Sequence, residues 1–198
     1  MSSSSGPRVV RRNRPSKPLK RTTYRRALPY LLKDFEGRCA YCMRHLPSRG
    51  QRFIEIDHFD PRKKKDFIQK YSNLFLSDRE CNGNKSNIWP TTKQRKAEIR
   101  FLNCCEEMDY GEHIKEDPHT HELIGFSPAA LFHISILDLN APHLVKERAR
   151  RHRFRSMLQS TPILLRDGVP YSDFRFVDEL RALTDEMIPP IPFTNKDV

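Results

Sequence analysis

Four short runs in the first half of the chain hold residue types that can do chemistry. They are Cys39 and Cys42 in GRCAYCMRHLP, Asp57 and His58 in FIEIDH, Asn73 in YSNLFLSD, and Cys81, Asn82 and Lys85 in CNGNKS. A carboxylate such as Asp57 and an amide oxygen such as Asn82 are hard ligands suited to Mg²⁺ or Mn²⁺, ions that keep waters and take phosphate oxygens. A histidine with an ordinary pKa near ~6.5, here His58, can take a proton from water at neutral pH. Together these groups suffice for metal-assisted phosphodiester hydrolysis. His58 would activate the water, and the ion would stabilise the pentavalent charge and the leaving 3′-oxygen. Lys85, and Arg62 and Lys63 from the basic run PRKKKDFIQK behind the histidine, are candidates for contact with neighbouring phosphates.

The cysteines suggest a second metal. Their number, five, is odd, and the amino-terminal stretch has charge but no apolar core of a secretory signal, so reduced thiols in the cytoplasm are expected. Cys39 and Cys42 form a C-x-x-C pair directly after Arg38 and Gly37, the spacing from which tetrahedral zinc sites are built. Cys81 supplies a third thiolate. Asp78 stands three residues before it and could complete a Zn²⁺ site through oxygen. His45 and the Cys104–Cys105 pair compete for that fourth position, and a redox C-x-x-C is the alternative reading.

These residues need elements to position them. FIEIDH alternates as a strand, with Ile54, Ile56 and His58 on one face and Phe53, Glu55 and Asp57 on the other. Asp57 and His58 then diverge, and a twist or bulge at Phe59-Asp60-Pro61 is expected to bring them to one site. YSNLFLSD reads as a second short strand, and CNGNKSNIWP as the start of a helix.

The ordered set C-x-x-C, IDHFDP, YSNLFLS and CNGNKS, from Cys39 to about Pro90, resembles the HNH (ββα-metal) endonuclease family in its zinc-knuckle branch. The resemblance implies His58 as general base and Asp57 and Asn82 as Mg²⁺ or Mn²⁺ ligands. It implies Asn73 as the middle asparagine of the catalytic motif, bracing the loop between the strands, and Cys39, Cys42 and Cys81 as structural zinc ligands. Asp78 stands where that branch usually has cysteine. A later phrase, ISILDLNAPHLVKERARR, is similar to a segment of HNH proteins from bacterial anti-phage systems of the retron-associated and Septu types. Those are encoded beside an ATPase, which implies an ATPase or other regulatory partner.

Around this motif, Leu28, Leu31, Leu32 and Phe35 have helical spacing, with Gly37 as the stop. Thr91 or Thr92 can cap a helix reaching Phe101, and Ser127-Pro128 starts another with Leu131, Ile134 and Leu137 as its buried stripe. A basic helix follows Pro142 with five arginines from Arg148 to Arg155, and a last helix is expected from about Asp173. Residues 103–126 are acidic and read as a linker or a solvated loop. The expected class is α+β: a ββα-metal core with a structural zinc knuckle, flanked by mostly helical amino- and carboxy-terminal segments. The expected division is 1–26, a disordered basic arm; 27–101, the core with its preceding helix; and 102–198, a mainly helical region.

Charge speaks to the partner rather than to the chemistry. The net charge is +11, and residues 1–26 hold nine Lys/Arg and no acid, leaving 27 basic against 25 acidic residues elsewhere. A basic balance points to nucleic acid as partner, and the HNH resemblance implies DNA before RNA. No apolar run approaches the ~20 residues that span a bilayer, so no membrane role is expected. The competing readings are an RNA endonuclease, for instance on transfer RNA, and a catalytically silent zinc-knuckle binding module.

Overall fold

The computed structural model describes residues 7–160, 165–166 and 169–170. It is an α+β structure in which every sheet has two strands. The first strand, β1 (Leu19–Lys20), belongs to the segment expected to be disordered, yet residues 7–26 lie on the core. The reason is chemical. Arg11 donates to the carbonyls of Tyr71 (3.0 Å) and Leu74 (2.8 Å) while its guanidinium sits 4.9 Å from the Phe75 ring centre. Val9 is buried and donates to the Cys104 carbonyl, and Arg8 lies 4.5 Å over the Tyr110 ring. Asp34 takes hydrogen bonds from Arg12 N, Asn13 N and Asn13 Nδ2. Composition suggested a free tail because the partners of these groups are distant in sequence.

Helix α1 (Leu28–Asp34) buries Leu31 and, just beyond its end, Phe35. It stops as expected at Gly37, which has φ +68° and donates to the Leu32 carbonyl at 2.8 Å. A Cβ there would stand 3.0 Å from His45 Nε2, so glycine is required on both counts. The C-x-x-C turn follows and is closed by a bridge between Arg38 and His45. A single turn, α2 (Leu46–Arg49), then leads to the hairpin.

That hairpin pairs β2 (Ile54–His58) with β4 (Leu74–Asp78), antiparallel, from Ile54↔Asp78 through His58↔Leu74. Between them β3 (Ile68–Gln69) turns back to pair with β1. The ladder is regular from Ile54 to His58, Phe59 N donates to the Asn73 carbonyl at 2.9 Å, and the chain then bends at Phe59–Asp60 into the turn Pro61–Lys65. Strand β4 is buried along its whole length, which is why LFL has no polar alternation. Phe75 lies at the centre, its ring 4.7 Å from Phe59 and 5.7 Å from Phe35.

Asp78 caps α3 (Arg79–Lys85) by accepting from Glu80 N, completing the strand–strand–helix unit. Thr91 caps α4 (Thr92–Lys96) in a reciprocal box with Gln94. That helix ends at Ala97 rather than reaching Phe101, whose ring is instead buried between Trp89 and Phe132. Residues 103–126 are not a plain linker. They form α5 (Tyr110–His113) and a hairpin of β5 (Ile114–Glu116) with β6 (Leu123–Gly125).

Ser127 caps α6 (Pro128–Leu137) as expected, through Ala130 N. Its buried face is Ala129, Ala130, His133 and Leu137, while Leu131, expected inside, is 59% exposed. In α7 (Pro142–Ser160) two of the arginines act structurally. Arg148 donates to the His121 and Leu139 carbonyls and to Asn140, and Arg151 pairs with Glu116 at 2.5 Å. Arg44 of the knuckle reaches Glu147 at 2.8 Å and ties α7 to the core. A last short pairing joins β7 (Leu165–Arg166) to β8 (Val169–Pro170). The helix expected from Asp173 lies outside the described residues. No helix among the described residues is long and apolar enough to cross a membrane.

Candidate active site and metal centre

Cys39, Cys42 and Cys81 bring their sulfurs within 4.8 Å of one another. The knuckle turn presents the first two, and the first turn of α3 presents the third. Backbone N–H groups of Asp78 (3.2 Å) and Tyr41 (3.4 Å) donate to Cys39 Sγ. Burial alone would push the Cys39 thiol up, but hydrogen bonds from Cys42, Cys81 and these amides bring it well below the ordinary thiol range. Cys42 and Cys81 move up, chiefly because each is bonded to Cys39. Three converging sulfurs with amide donors behind one of them fit a zinc knuckle.

The fourth position is not taken by Asp78. Its carboxylate caps α3, is ion-paired with Arg49, and has Arg44 Nη1 at 3.8 Å. Being fully buried, that carboxylate needs cations beside it, and the two arginines provide them. Cys104 and Cys105 do not join the cluster either: their sulfurs are 4.0 Å apart, beside the amino-terminal arm. Among the described residues one other grouping of metal-binding types, Glu107, Asp109 and His113, lies outside this region, and Glu107 there is already held by Arg100.

The second centre lies in an open cleft of about 710 Å³, with β2 as one wall and α3 as another. Asp57, His58 and Asn82 all line it, with Glu55 beside them. Asp57 and His58 leave the strand in different directions, as alternation requires. Asp57 is buried, accepting from Lys85 Nζ at 3.1 Å and from the Tyr41 hydroxyl. Lys85 Nζ also lies 3.0 Å from the second Asp57 oxygen, so three of the carboxylate's about four acceptor sites are met and about one remains for a cation. Asn82 does not bond Asp57. Its Nδ2 donates to Glu55 Oε2 at 2.5 Å, and Arg79 approaches the other Glu55 oxygen at 3.4 Å.

His58 is buried against Tyr24, with ring centres 5.0 Å apart, and its Nε2 lies 2.7 Å from Gln69 Oε1. The Gln69 amide nitrogen donates to the Asp66 carbonyl, so Oε1 is the atom turned to His58 and can only accept. Nε2 must therefore carry the hydrogen. In the neutral ring the lone pair then sits on Nδ1, the arrangement a general base requires. Burial lowers the His58 pKa below the ordinary histidine value and Lys64 and Lys85 add to this, while Gln69 and Asp57 oppose them. The ring is thus held in the neutral form.

The remaining expected residues fall elsewhere. Lys85 does not reach phosphate: it has no exposed surface, and its ammonium bonds Asp57 and the His58 carbonyl at 3.0 Å. It locks α3 to β2, a role that follows from a helix packing over a strand that carries a buried carboxylate. Asn73 is a brace, accepting from Asp60 N at 2.8 Å and donating to the Asp60 carbonyl at 3.2 Å. Arg62 makes a fork on Asp60 (2.9 and 2.8 Å), and Lys63 stands 3.7 Å from the same carboxylate. Both stay exposed, but much of their charge is balanced there.

Four cations do face the cleft: Arg25 was counted with the basic arm and Lys64 with the run after the histidine, whereas Arg52 and Arg79 carried no sequence signal. Arg25, Arg52, Lys64 and Arg79 line it, drawn from four separate segments. Gln69 and Glu55 were also missed. Glu55 carried one signal, its place on the Asp57 face of the strand, whereas nothing local marked Gln69.

A carboxylate–amide–imidazole set thus stands on a strand–strand–helix unit beside a three-cysteine knuckle. Residues 39–87 match the HNH endonuclease family model. No curated protein and no solved structure matches the chain. The HNH match covers about a quarter of the sequence and supports hydrolytic nuclease activity on nucleic acid. HNH nucleases work with divalent metals, and the knuckle is compatible with zinc in addition.

Proposed function

We propose that this chain is a metal-dependent endonuclease that hydrolyses phosphodiester bonds of DNA, with His58 as general base. The observation that carries the reading is the His58–Gln69 bond, which leaves Nδ1 unprotonated in a cleft lined by cations. Nδ1 takes a proton from water, and the water oxygen attacks phosphorus. The bond to the 3′-oxygen breaks, and that oxygen takes a proton from solvent, leaving a 5′-phosphate and a 3′-hydroxyl, while the protonated His58 returns its proton to water. Arg25, Arg52, Lys64 and Arg79 hold the flanking phosphates. Asp57 and Asn82, with Glu55 next to them, are the residues to hold Mg²⁺ or Mn²⁺. When bound, such an ion supplies positive charge against the pentavalent phosphorus and the leaving oxygen.

None of these steps uses a 2′-hydroxyl, so DNA can serve as the polymer, and the DNA assignment itself rests on the HNH resemblance. A place in bacterial anti-phage defence, in the cytoplasm with an ATPase or other regulatory subunit, rests on the resemblance of residues 134–151. Phage plating on cells carrying the wild-type or His58→Ala gene tests that part. The activity itself is tested on supercoiled plasmid, single-stranded DNA and total RNA, each with Mg²⁺, Mn²⁺ or EDTA. Cleavage of plasmid only with a divalent ion supports the reading. Cleavage of RNA alone would move the substrate assignment, and cleavage in EDTA would overturn the metal requirement.

A further inference from the structure

The β1–β3 ribbon has two faces with different work. Its register sets Leu19 opposite Gln69 and Lys20 opposite Ile68. Leu19 and Gln69 point inward, and Gln69 holds the His58 ring there. The outward side carries Ile68, 49% exposed, and beside it Phe67, 68% exposed. Single exposed apolar residues are ordinary on protein surfaces, but an adjacent aromatic and β-branched pair held by strand pairing is less so. The backbone of Phe67 is fixed, since its carbonyl accepts from Arg21 N at 3.0 Å. The Lys20 ammonium sits over its ring, 5.6 Å from the centre.

The surroundings are basic. Lys63, Lys64 and Lys65 precede the pair, Lys70 follows it, Arg21 lies across the ribbon, and all are exposed. Asp66 is the one carboxylate between residues 61 and 70. Lys64 and Pro61 of this same segment line the cleft, and Gln69, next to Ile68, holds the His58 ring, so the pair is joined through the chain to the catalytic site. An apolar ring among ammonium groups suits a ligand that offers a flat π-face and phosphates together, which is a nucleotide base in a strand. A base inside an intact duplex has its faces covered, so the ring needs one that is unpaired or readily unstacked.

We propose that Phe67, with Ile68 beside it, is a stacking platform for an unpaired base next to the scissile phosphate. It makes the protein prefer strands with a bulge, junction or single-stranded segment over uninterrupted duplex. The inference rests on the nuclease reading for the location of the scissile bond, but its test does not need cleavage.

The test is fluorescence anisotropy in EDTA with two labelled duplexes of equal length, one of them with a single-nucleotide bulge. Wild type binds the bulged duplex about tenfold tighter, within the range expected for one stacked base. Phe67→Ala removes that preference and leaves the affinity for plain duplex unchanged, whereas Phe67→Trp keeps it. Phe67 is exposed, and thermal unfolding checks that both variants fold. A wild type with no preference, or a Phe67→Ala protein that retains it, overturns the platform. Absence of any nucleic-acid binding also overturns it and points to an acidic protein partner for this face. Retained preference with no cleavage in Mg²⁺ or Mn²⁺ supports the platform and counts only against the nuclease reading.

Discussion

Replacing Gln69 by glutamate puts a negative charge where the structure has a neutral acceptor, 2.7 Å from His58 Nε2. With charge centres about 4 Å apart and an effective dielectric near 20, the attraction for an imidazolium is about 4 kcal/mol. At ~1.36 kcal/mol per unit, that corresponds to roughly three pH units. The open cleft admits solvent, which screens part of it, and an upward shift of about one to two units is expected. The direction matters most. In wild type, burial lowers the pKa of His58, so the acid limb of kcat/KM lies below the ordinary histidine value. In Gln69→Glu the ring stays protonated to higher pH, so activity at pH 7 falls by about tenfold and recovers as pH rises. Gln69→Leu behaves differently. It leaves the Nε2 hydrogen without an acceptor and lets the ring change tautomer, so the rate drops at every pH without recovery. Initial rates on a fluorogenic oligonucleotide from pH 5 to 9, with saturating divalent ion, measure both. An unchanged or downward-shifted acid limb in Gln69→Glu refutes the assignment of Nδ1 as the base.

Three further outcomes follow from the packing. Lys85→Ala leaves Asp57 buried without its cation and should cost about 3–5 kcal/mol in denaturant unfolding; a loss below ~1 kcal/mol would contradict the buried pair. Metal analysis should give one zinc per chain, lost in Cys42→Ser together with a drop in Tm, while Asp78→Asn keeps its zinc because that carboxylate faces Arg49. Deleting residues 1–14 removes Arg11 from its carbonyls and Arg12 and Asn13 from Asp34, and should lower stability by about 2–4 kcal/mol; an unchanged Tm would mean that the arm is not part of the fold.

Local signals served well where a single stretch determines its own structure. The alternation of FIEIDH, the Ser127-Pro128 cap, the Gly37 stop and the C-x-x-C turn all depend on neighbours within a few residues, and each is found where expected. What escaped reading depends on partners far away in the chain. Gln69 is an ordinary polar residue until the β1–β3 pairing turns it toward His58, eleven residues earlier. Lys85 looked like a phosphate ligand because a lysine after an asparagine is solvated by default; only the packing of α3 over β2 encloses it. Arg8 and Arg11 counted as loose charge, yet aromatic faces and free carbonyls of the core take them up. Leu131 and the carboxy-terminal end of α4 went wrong because helical spacing cannot say which side of a helix finds a neighbour.

The central claim is that His58 takes a proton from water to hydrolyse a phosphodiester bond. The most direct measurement is nicking of supercoiled plasmid by wild type and His58→Ala, matched in Tm and zinc content, with Mg²⁺ or Mn²⁺. General-base loss predicts a fall of about 10²–10⁴-fold in rate for the variant. A folded, zinc-loaded His58→Ala protein that nicks plasmid as fast as wild type would contradict the account.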